Sequence, residues 1–444
     1  MTSATPATRP QDTPPAGRDD LAAVLRDRSV HSVFQPIVDL RTGDVVAHEA
    51  LTRGPAGPLA RPEALIDAAR ARGRLAELDL LCWSVAVGSL HGGRVPVVFL
   101  NAEPEGLGRM DWSDVEELAA QAAAVPVRIV VEVTERAIAT HHVQLLETVQ
   151  RFRALGWGIA VDDVGVSPAS LAFLPLIDPD VVKLDVSLIQ DRPSQQLAQI
   201  VHAVRAFAER SGCLVLAEGI ETPEHLEAAQ DLGAQLGQGW FFGRPAPATT
   251  LVGASSPTPL RTPRPRTPAP SSTPGRGTPL LDLRDEVVVR RGSKRLIVEL
   301  SHQLEEQALA LAGTCVLVTT FQRPEFFTAS ARRRYRGVKD GSGYVYVLGP
   351  DLPPEPGSPW HTVTLPRDDP LAAEWYVLVL APHFHAALMA HEVAPDDDLP
   401  GDATRGAAAP RRVFDYTLTY RHSVVTAAAR ALLSHPAAQP RRRE

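Results

Sequence analysis

Two hydrophobic periodicities alternate along this chain. Between about residues 30 and 250, short apolar runs read as strands: VPVVFLNA (95–102), RIVVEVTE (128–135), GIAVDD (158–163), VVKLD (181–185) and LVLAEGI (214–220). Between them, apolar residues recur at helical spacing in LAELDLLCWSVAVGSL (75–90), HHVQLLETVQRFRALG (141–156), QQLAQIVHAVRAFAERSG (195–212) and TPEHLEAAQDLG (222–233). Continuous Val/Ile/Leu strands separated by helices predict a parallel sheet covered on both faces, and their number and length suit a (β/α) barrel. The chain enters this pattern through FQPIVDL (34–40) and VVAHEALTR (45–53), two β-prone runs joined by a turn too short for a crossover. The expected fold class is therefore α/β, a modified TIM-type (β/α) barrel with one antiparallel strand. A doubly wound open sheet fits less well, because no Gly-rich phosphate loop follows any strand.

The pattern breaks at residues 254–279, ASSPTPLRTPRPRTPAPSSTPGRGTP, whose proline density cannot pack a core and favours an extended spacer. Beyond it lie strand candidates TCVLVTTF (314–321), GYVYVLG (343–349) and WYVLVLAP (375–382), with helical patterns at 295–313 and 422–435. The predicted organisation is a disordered arm (1–19), the barrel (20–250), a Pro-rich linker (251–279), a second, smaller α/β domain (280–435) and a tail (436–444). Few contacts are expected to cross the linker.

Composition narrows the function classes. The 444 residues are 44% apolar with a formal charge of −7, and no basic patch with interleaved aromatics occurs, which argues against sequence-specific nucleic-acid binding. Cys82, Cys213 and Cys315 are isolated and lack metal-ligand spacing, as expected of reduced core residues in a cytoplasmic protein. No apolar run approaches the roughly 20 residues of a membrane span, and the first residues lack a signal-peptide pattern.

Polar residues recur at the carboxyl ends of the strands: Glu49, Asn101, Glu132, Asp162 with Asp163, Lys183 and Glu218. A single strand-end acid simply begins a polar loop; the whole set is the signal, because barrel strands converge on one face, where ligands bind. Five gathered carboxylates repel unless cations neutralise them. An all-oxygen set without His or Cys selects hard ions, so Mg²⁺ or Mn²⁺ is expected. The adjacent aspartates suit two ions that clamp an in-line displacement at phosphorus, which makes a phosphate ester the substrate class. Lys183 is the sole lysine before residue 294 in a chain whose Lys and Arg total 45, and a compact ammonium fits beside metal ions where a guanidinium fork would not. The tripeptide Glu-Ala-Leu occurs twice; Glu63-Ala64-Leu65 follows Pro62 and reads as a plain helix start, whereas Glu49-Ala50-Leu51 lies near the end of a strand.

On these residues, the segment from about 20 to 250 resembles the EAL-domain family of cyclic-di-GMP phosphodiesterases. FQPIVDL, HEALTR, FLNAE, VEVTE, VDDVG, VVKLD, LAEGIET and GQGWFFGRPAP are similar, in order, to the family's motifs. The resemblance implies that Glu49, Asn101, Glu132, Asp162, Asp163 and Glu218 bind two Mg²⁺ or Mn²⁺ ions, with Asp162 between them. It also implies catalytic roles for Glu49, Asp163, Glu135 and Lys183, the last positioning the attacking water. Gln35, Arg53 and Gln238 would contact the dinucleotide, and the ring of cyclic-di-GMP would open to linear pGpG. The chain departs from the family at Val164-Gly165-Val166-Ser167-Pro168-Ala169-Ser170, where the usual loop is Phe-Gly-Thr-Gly-Tyr-Ser-Ser. That loop, braced by Glu135, orders the family's metal site and a homodimer contact, so a catalytically weak or inactive cyclic-di-GMP-binding effector is the alternative. The stretches KRLIVELSHQLEEQALAL, FQRPEFFTASARRRYRGVKD and EWYVLVLAP resemble the DICT sensory domain, which implies regulation by a ligand or partner that the residues leave unnamed.

Overall fold

The computed structural model describes residues 18–90, 97–125, 127–165, 168–190, 195–251, 277–311, 313–340, 343–355, 357–393 and 412–438. Most of the expected arm, linker and tail lies outside them. Strands β1 (His31–Asp39), β2 (Val45–Arg53), β3 (Val97–Ala102), β4 (Arg128–Thr134), β5 (Gly158–Val164), β6 (Val181–Leu184), β7 (Leu214–Ala217) and β8 (Leu236–Gln238) follow one another around a closed barrel. β1 runs antiparallel to β2 and β8, and the other neighbours pair in parallel. A short β9 (Ala246–Pro247) adds to β1. Pro62–Ala71 is a helix with exposed Glu63 in its first turn, so only the first Glu-Ala-Leu lies on a barrel strand.

The strand alternation builds the site. Ile37, Ala47, Phe99, Val130, Ala160, Val181, Leu216 and Leu236 form one apolar cluster, the barrel's plug. Side chains on a strand repeat their facing every second residue. Two residues onward toward the ligand-binding rim therefore stand Glu49, Asn101, Glu132, Asp162, Lys183, Glu218 and Gln238, with Gln35 in the same layer on the reversed β1. An apolar floor thus carries a polar layer.

The second unit is a seven-stranded sheet ordered β10 (Arg290–Ser293), β16 (Val413–Thr419), β15 (Phe384–Val393), β14 (Glu374–Ala381), β11 (Val316–Thr320), β12 (Tyr344–Pro350) and β13 (His361–Leu365). Only β11–β12 and β12–β13 are parallel. Helices Lys294–Ala310 and Ala329–Asp340 cover one face.

The opposite face meets both helix His422–Leu433 and the barrel. A single apolar cluster runs from Val318, Tyr344 and Leu378 through Val425 to Phe173, Leu176 and Ile177. The Phe173 and Tyr344 rings meet edge to face at 4.7 Å, and Arg430 Nε and Nη2 donate to the Leu176 carbonyl at 2.8 and 2.5 Å. This differs from the expectation of few contacts across the linker. The cause is visible in β12 and β14, whose residues are buried almost throughout: strands apolar on both faces need cover on both. Among the described residues no helix is long and apolar enough to cross a membrane.

Candidate active site

Glu49 is the residue around which the polar layer is organised. It faces Gln35 across β1 and Phe99 across β3, and is 7% exposed. Its Oε1 accepts from Asn101 Nδ2 at 2.7 Å, and its Oε2 accepts from Gln238 Nε2 at 2.6 Å. The same Gln238 amide reaches Gln35 Oε1 at 3.3 Å, and Gln35 Nε2 donates to the Gly243 carbonyl at 3.3 Å. Burial pushes the Glu49 carboxyl upward, but Lys183 and the two amide donors outweigh it and hold the group below the usual carboxylate range. Gln238 approaches this closely because Gly239 follows it: a Cβ there would lie 2.0 Å from the Ile220 carbonyl oxygen.

Opposite Glu49, Lys183 is buried among acids. Its Nζ lies 2.9 Å from Glu132 Oε1, 3.1 Å from Asp162 Oδ1 and 2.7 Å from Glu218 Oε1, one carboxylate for each of its three protons. Burial would strip this lysine of its proton, yet Asp162, Glu132, Glu218 and Glu49 together hold its pKa well above the ordinary value, so it is an ammonium. Glu132 is pushed well above the carboxylate range by burial and then by the Glu49 charge, against the pull of Lys183. Burial likewise lifts Glu218 to about 8 despite Lys183. Gly219, at φ +67°, turns the chain directly after Glu218.

The two aspartates pose a geometric problem, since neighbours on a regular strand face opposite ways. β5 resolves it with an irregularity: the register against β6 shifts between Val161 and Val164, and Asp163 takes a left-handed conformation at φ +57°. Such a bulge re-aims side chains, and Asp tolerates that backbone region. As a result Asp162, Asp163 and Glu218 each bring a ligand oxygen to within 4.8 Å of one another.

The donor set suits a hard divalent cation. Five carboxylates and one ammonium share this end of the barrel, every candidate ligand atom is oxygen, and buried Glu132 pairs with Lys183 through Oε1 alone, leaving Oε2 without a hydrogen bond. A buried carboxylate left that way is costly, and a cation would satisfy it.

Of the residues expected at the site, Glu49, Asn101, Glu132, Asp162, Asp163, Lys183, Glu218, Gln35 and Gln238 line one end of the barrel. Arg53 lies at the end of β2, where its guanidinium donates to the Thr52 carbonyl at 2.8 Å. Glu135 begins helix Glu135–Ala154, but its side chain and those of 166–170 lie outside the described part of the structure. The sequence reading missed two contributors. Trp83 Nε1 donates to the Asn101 carbonyl at 2.7 Å and fixes that strand end. Trp240, 53% exposed, carries the Arg244 guanidinium 3.8 Å above its ring, a flat polar-edged surface beside Gln238 that two consecutive exposed aromatics could have signalled.

Comparison with known proteins gives two family matches: the EAL domain over residues 18–245 and the DICT domain, described as a sensory domain in diguanylate cyclases and two-component systems, over residues 282–393. Cyclic di-GMP phosphodiesterase NbdA of Pseudomonas aeruginosa is 34% identical over 242 residues, covering 52% of this chain and 31% of that protein. Cyclic di-GMP phosphodiesterase PdeF of Escherichia coli is 30% identical over 235 residues, covering 51% and 31%. The chain thus spans about a third of the length of these curated relatives. The manganese and cyclic-di-GMP complex of Klebsiella pneumoniae BlrP1 is 30% identical, with a TM-score of 0.44, over 49% of this chain and 56% of that one.

Proposed function

The chain belongs to the EAL-domain family, and we propose that it hydrolyses cyclic-di-GMP to linear pGpG with two Mg²⁺ or Mn²⁺ ions, under control of its C-terminal domain. The observation that carries this reading is a group of five carboxylates, three of them paired with one buried ammonium, with Glu132 Oε2 left for a cation. Glu49, Asn101, Glu132, Asp162, Asp163 and Glu218 would hold the ions. When bound, the ions supply Lewis-acid charge to a phosphodiester oxygen and to the attacking water.

The chain's own groups do the rest. Asn101 and Gln238 keep Glu49 ionised and aimed, so that its oxygens are presented in one fixed geometry. Lys183 contacts three carboxylates with one charge; where cations take over that task, its ammonium has an N–H to offer to a water or a phosphate oxygen. Asp163, the most exposed of the five acids, stands where a water proton can be taken up. Water then supplies the oxygen that joins phosphorus, one P–O ester bond breaks, and the leaving ribose oxygen takes up a proton equivalent to the one the water gave to Asp163. Gln35, Gln238 and Arg53 would contact the dinucleotide, and the Trp240–Arg244 surface suits a flat base.

Regulation is supported by where the second domain sits. The segment that follows the double aspartate, in its residues 171–177, is the one its sheet and Arg430 grip. The runner-up is an effector that binds cyclic-di-GMP without cleaving it, favoured by the altered residues Val164 to Ser170. Incubation of the protein with cyclic-di-GMP and Mn²⁺ separates the two: pGpG supports the enzyme, and tight binding without product supports the effector.

A further inference from the structure

The C-terminal domain contains a partly open cleft of its own. Between helices Lys294–Ala310 and Ala329–Asp340 and the ends of β11 and β14 lies a cavity of about 230 Å³. The half-buried rings of Phe321, Phe326 and Trp375 supply its apolar walls. Its one acid, Glu305, is 5% exposed and already satisfied: Oε1 accepts from the Tyr335 hydroxyl at 2.7 Å and Oε2 from Arg334 Nε at 2.6 Å. Of the lining hydroxyls, Ser301 donates to the Ile297 carbonyl and Thr320 to that of Glu374, and Thr328 accepts from the Ala331 N–H.

Two cations face the space, Lys294 and Arg334, the second paired with Glu305. Lys294 Nζ sits 4.9 Å over the Phe326 ring, and Arg334 has N–H groups beyond those given to Glu305 and Ser330. Glu392, the acid that feels the Lys294 charge, is itself held by both ends of the Arg412 guanidinium. Aromatic walls with a few convergent donors are the usual make-up of a small-molecule site, and a volume below the roughly 300–1,000 Å³ of drug-sized clefts limits the occupant to one or two rings.

We propose that this cavity is the domain's ligand site and that it takes a planar aromatic molecule bearing a single anionic group, its ring between Phe321, Phe326 and Trp375 and its anion on Lys294 and Arg334. The proposal is independent of the phosphodiesterase reading, since it concerns residues remote from the barrel.

The test uses the full chain and three probes of one shape: 2-naphthoate, neutral 2-naphthamide and cationic 2-naphthylmethylamine, titrated by calorimetry. The acid should bind one equivalent with a Kd below about 1 mM, and the amide and amine at least about tenfold more weakly. Lys294→Gln, at a half-buried helix start, should weaken the acid about tenfold and leave the amide unchanged; Val298→Trp, which fills the space, should abolish both. Equal binding of the three probes, absence of saturation by the acid, or unchanged binding in folded Val298→Trp would overturn the proposal. Should either variant fail to fold, the ranking of the three probes on the unmodified chain still decides.

Discussion

Lys183 and Glu132 form an ion pair from which solvent is excluded: Nζ stands 2.9 Å from Oε1, and the two side chains are 1% and 0% exposed. Removing one partner of such a pair leaves an uncompensated buried charge, typically a cost of about 3–5 kcal/mol. Lys183→Met should therefore lower the unfolding free energy by about 3 kcal/mol at neutral pH, with part of the loss recovered when Mn²⁺ is added. Urea titrations with and without the ion check both. Lys183→Arg keeps the charge but not the shape, and should lose at least about tenfold in turnover because a planar fork cannot face three carboxylates at once. Wild-type turnover in that variant would make Lys183 purely structural.

The two Glu-Ala-Leu copies make a matched pair of variants. Glu49→Gln removes the carboxylate that Asn101 and Gln238 hold, and should abolish hydrolysis while the protein stays folded. Glu63→Gln alters an exposed helix start and should leave turnover within about twofold of the unmodified protein, as its stability effect is only a few tenths of a kcal/mol. Equal losses in the two would place the chemistry elsewhere.

Much of this was legible in the residues, for a physical reason. Barrel strands are buried on both sides, so Val130 to Glu132 and Val181 to Lys183 announce themselves as polar residues in apolar runs. The bulge at Asp162–Asp163 was not, because a register shift depends on the neighbouring strand; the sequence suggests two adjacent ligands but not how both reach one side. β15, FHAALMAHEV, was missed because alanine, leucine and methionine favour helix and only the sheet on either side makes it a strand. The shared apolar face was hidden by the proline-rich segment, which signals a boundary in the chain and says nothing of what the folded units bury against each other.

That face gives a prediction about length. A chain cut at residue 253 exposes Phe173, Leu176 and Ile177, which the second sheet covers. It should melt lower than the full chain and bind a hydrophobic dye such as anilinonaphthalene sulfonate. Arg430→Ala, which removes the two hydrogen bonds to Leu176, should change turnover while leaving the Kd for cyclic-di-GMP within about twofold, the split expected when a contact orders the metal site rather than the substrate. A folded, dye-negative truncation with unaltered kinetics would show that the domains act separately.

The same interface titrates. His385 Nδ1 lies 3.0 Å from Arg210 Nη1 and its Nε2 3.1 Å from His422 Nδ1, so the neutral ring accepts from the arginine and donates to its neighbour. Burial first, then His422, Arg210 and His383, lower its pKa from 6.5 to about 3. The unfolded chain therefore takes up the proton first, and this group's contribution is complete above pH 6.5 and is lost as pH falls toward 3. Melting temperature should decline from about pH 7 to 5, and His385→Gln should flatten that decline. An identical pH profile in the variant would assign the acid sensitivity to other groups.

The decisive measurement is product formation by the full chain. Cyclic-di-GMP incubated with the purified protein and Mg²⁺ or Mn²⁺ should yield linear pGpG, with no product in excess chelator, little with Ca²⁺, whose looser coordination misplaces the water, and none from Glu49→Gln. Hydrolysis that continues undiminished in chelator, or cyclic-di-GMP held tightly and recovered intact from the metal-loaded protein, would contradict the two-metal phosphodiesterase.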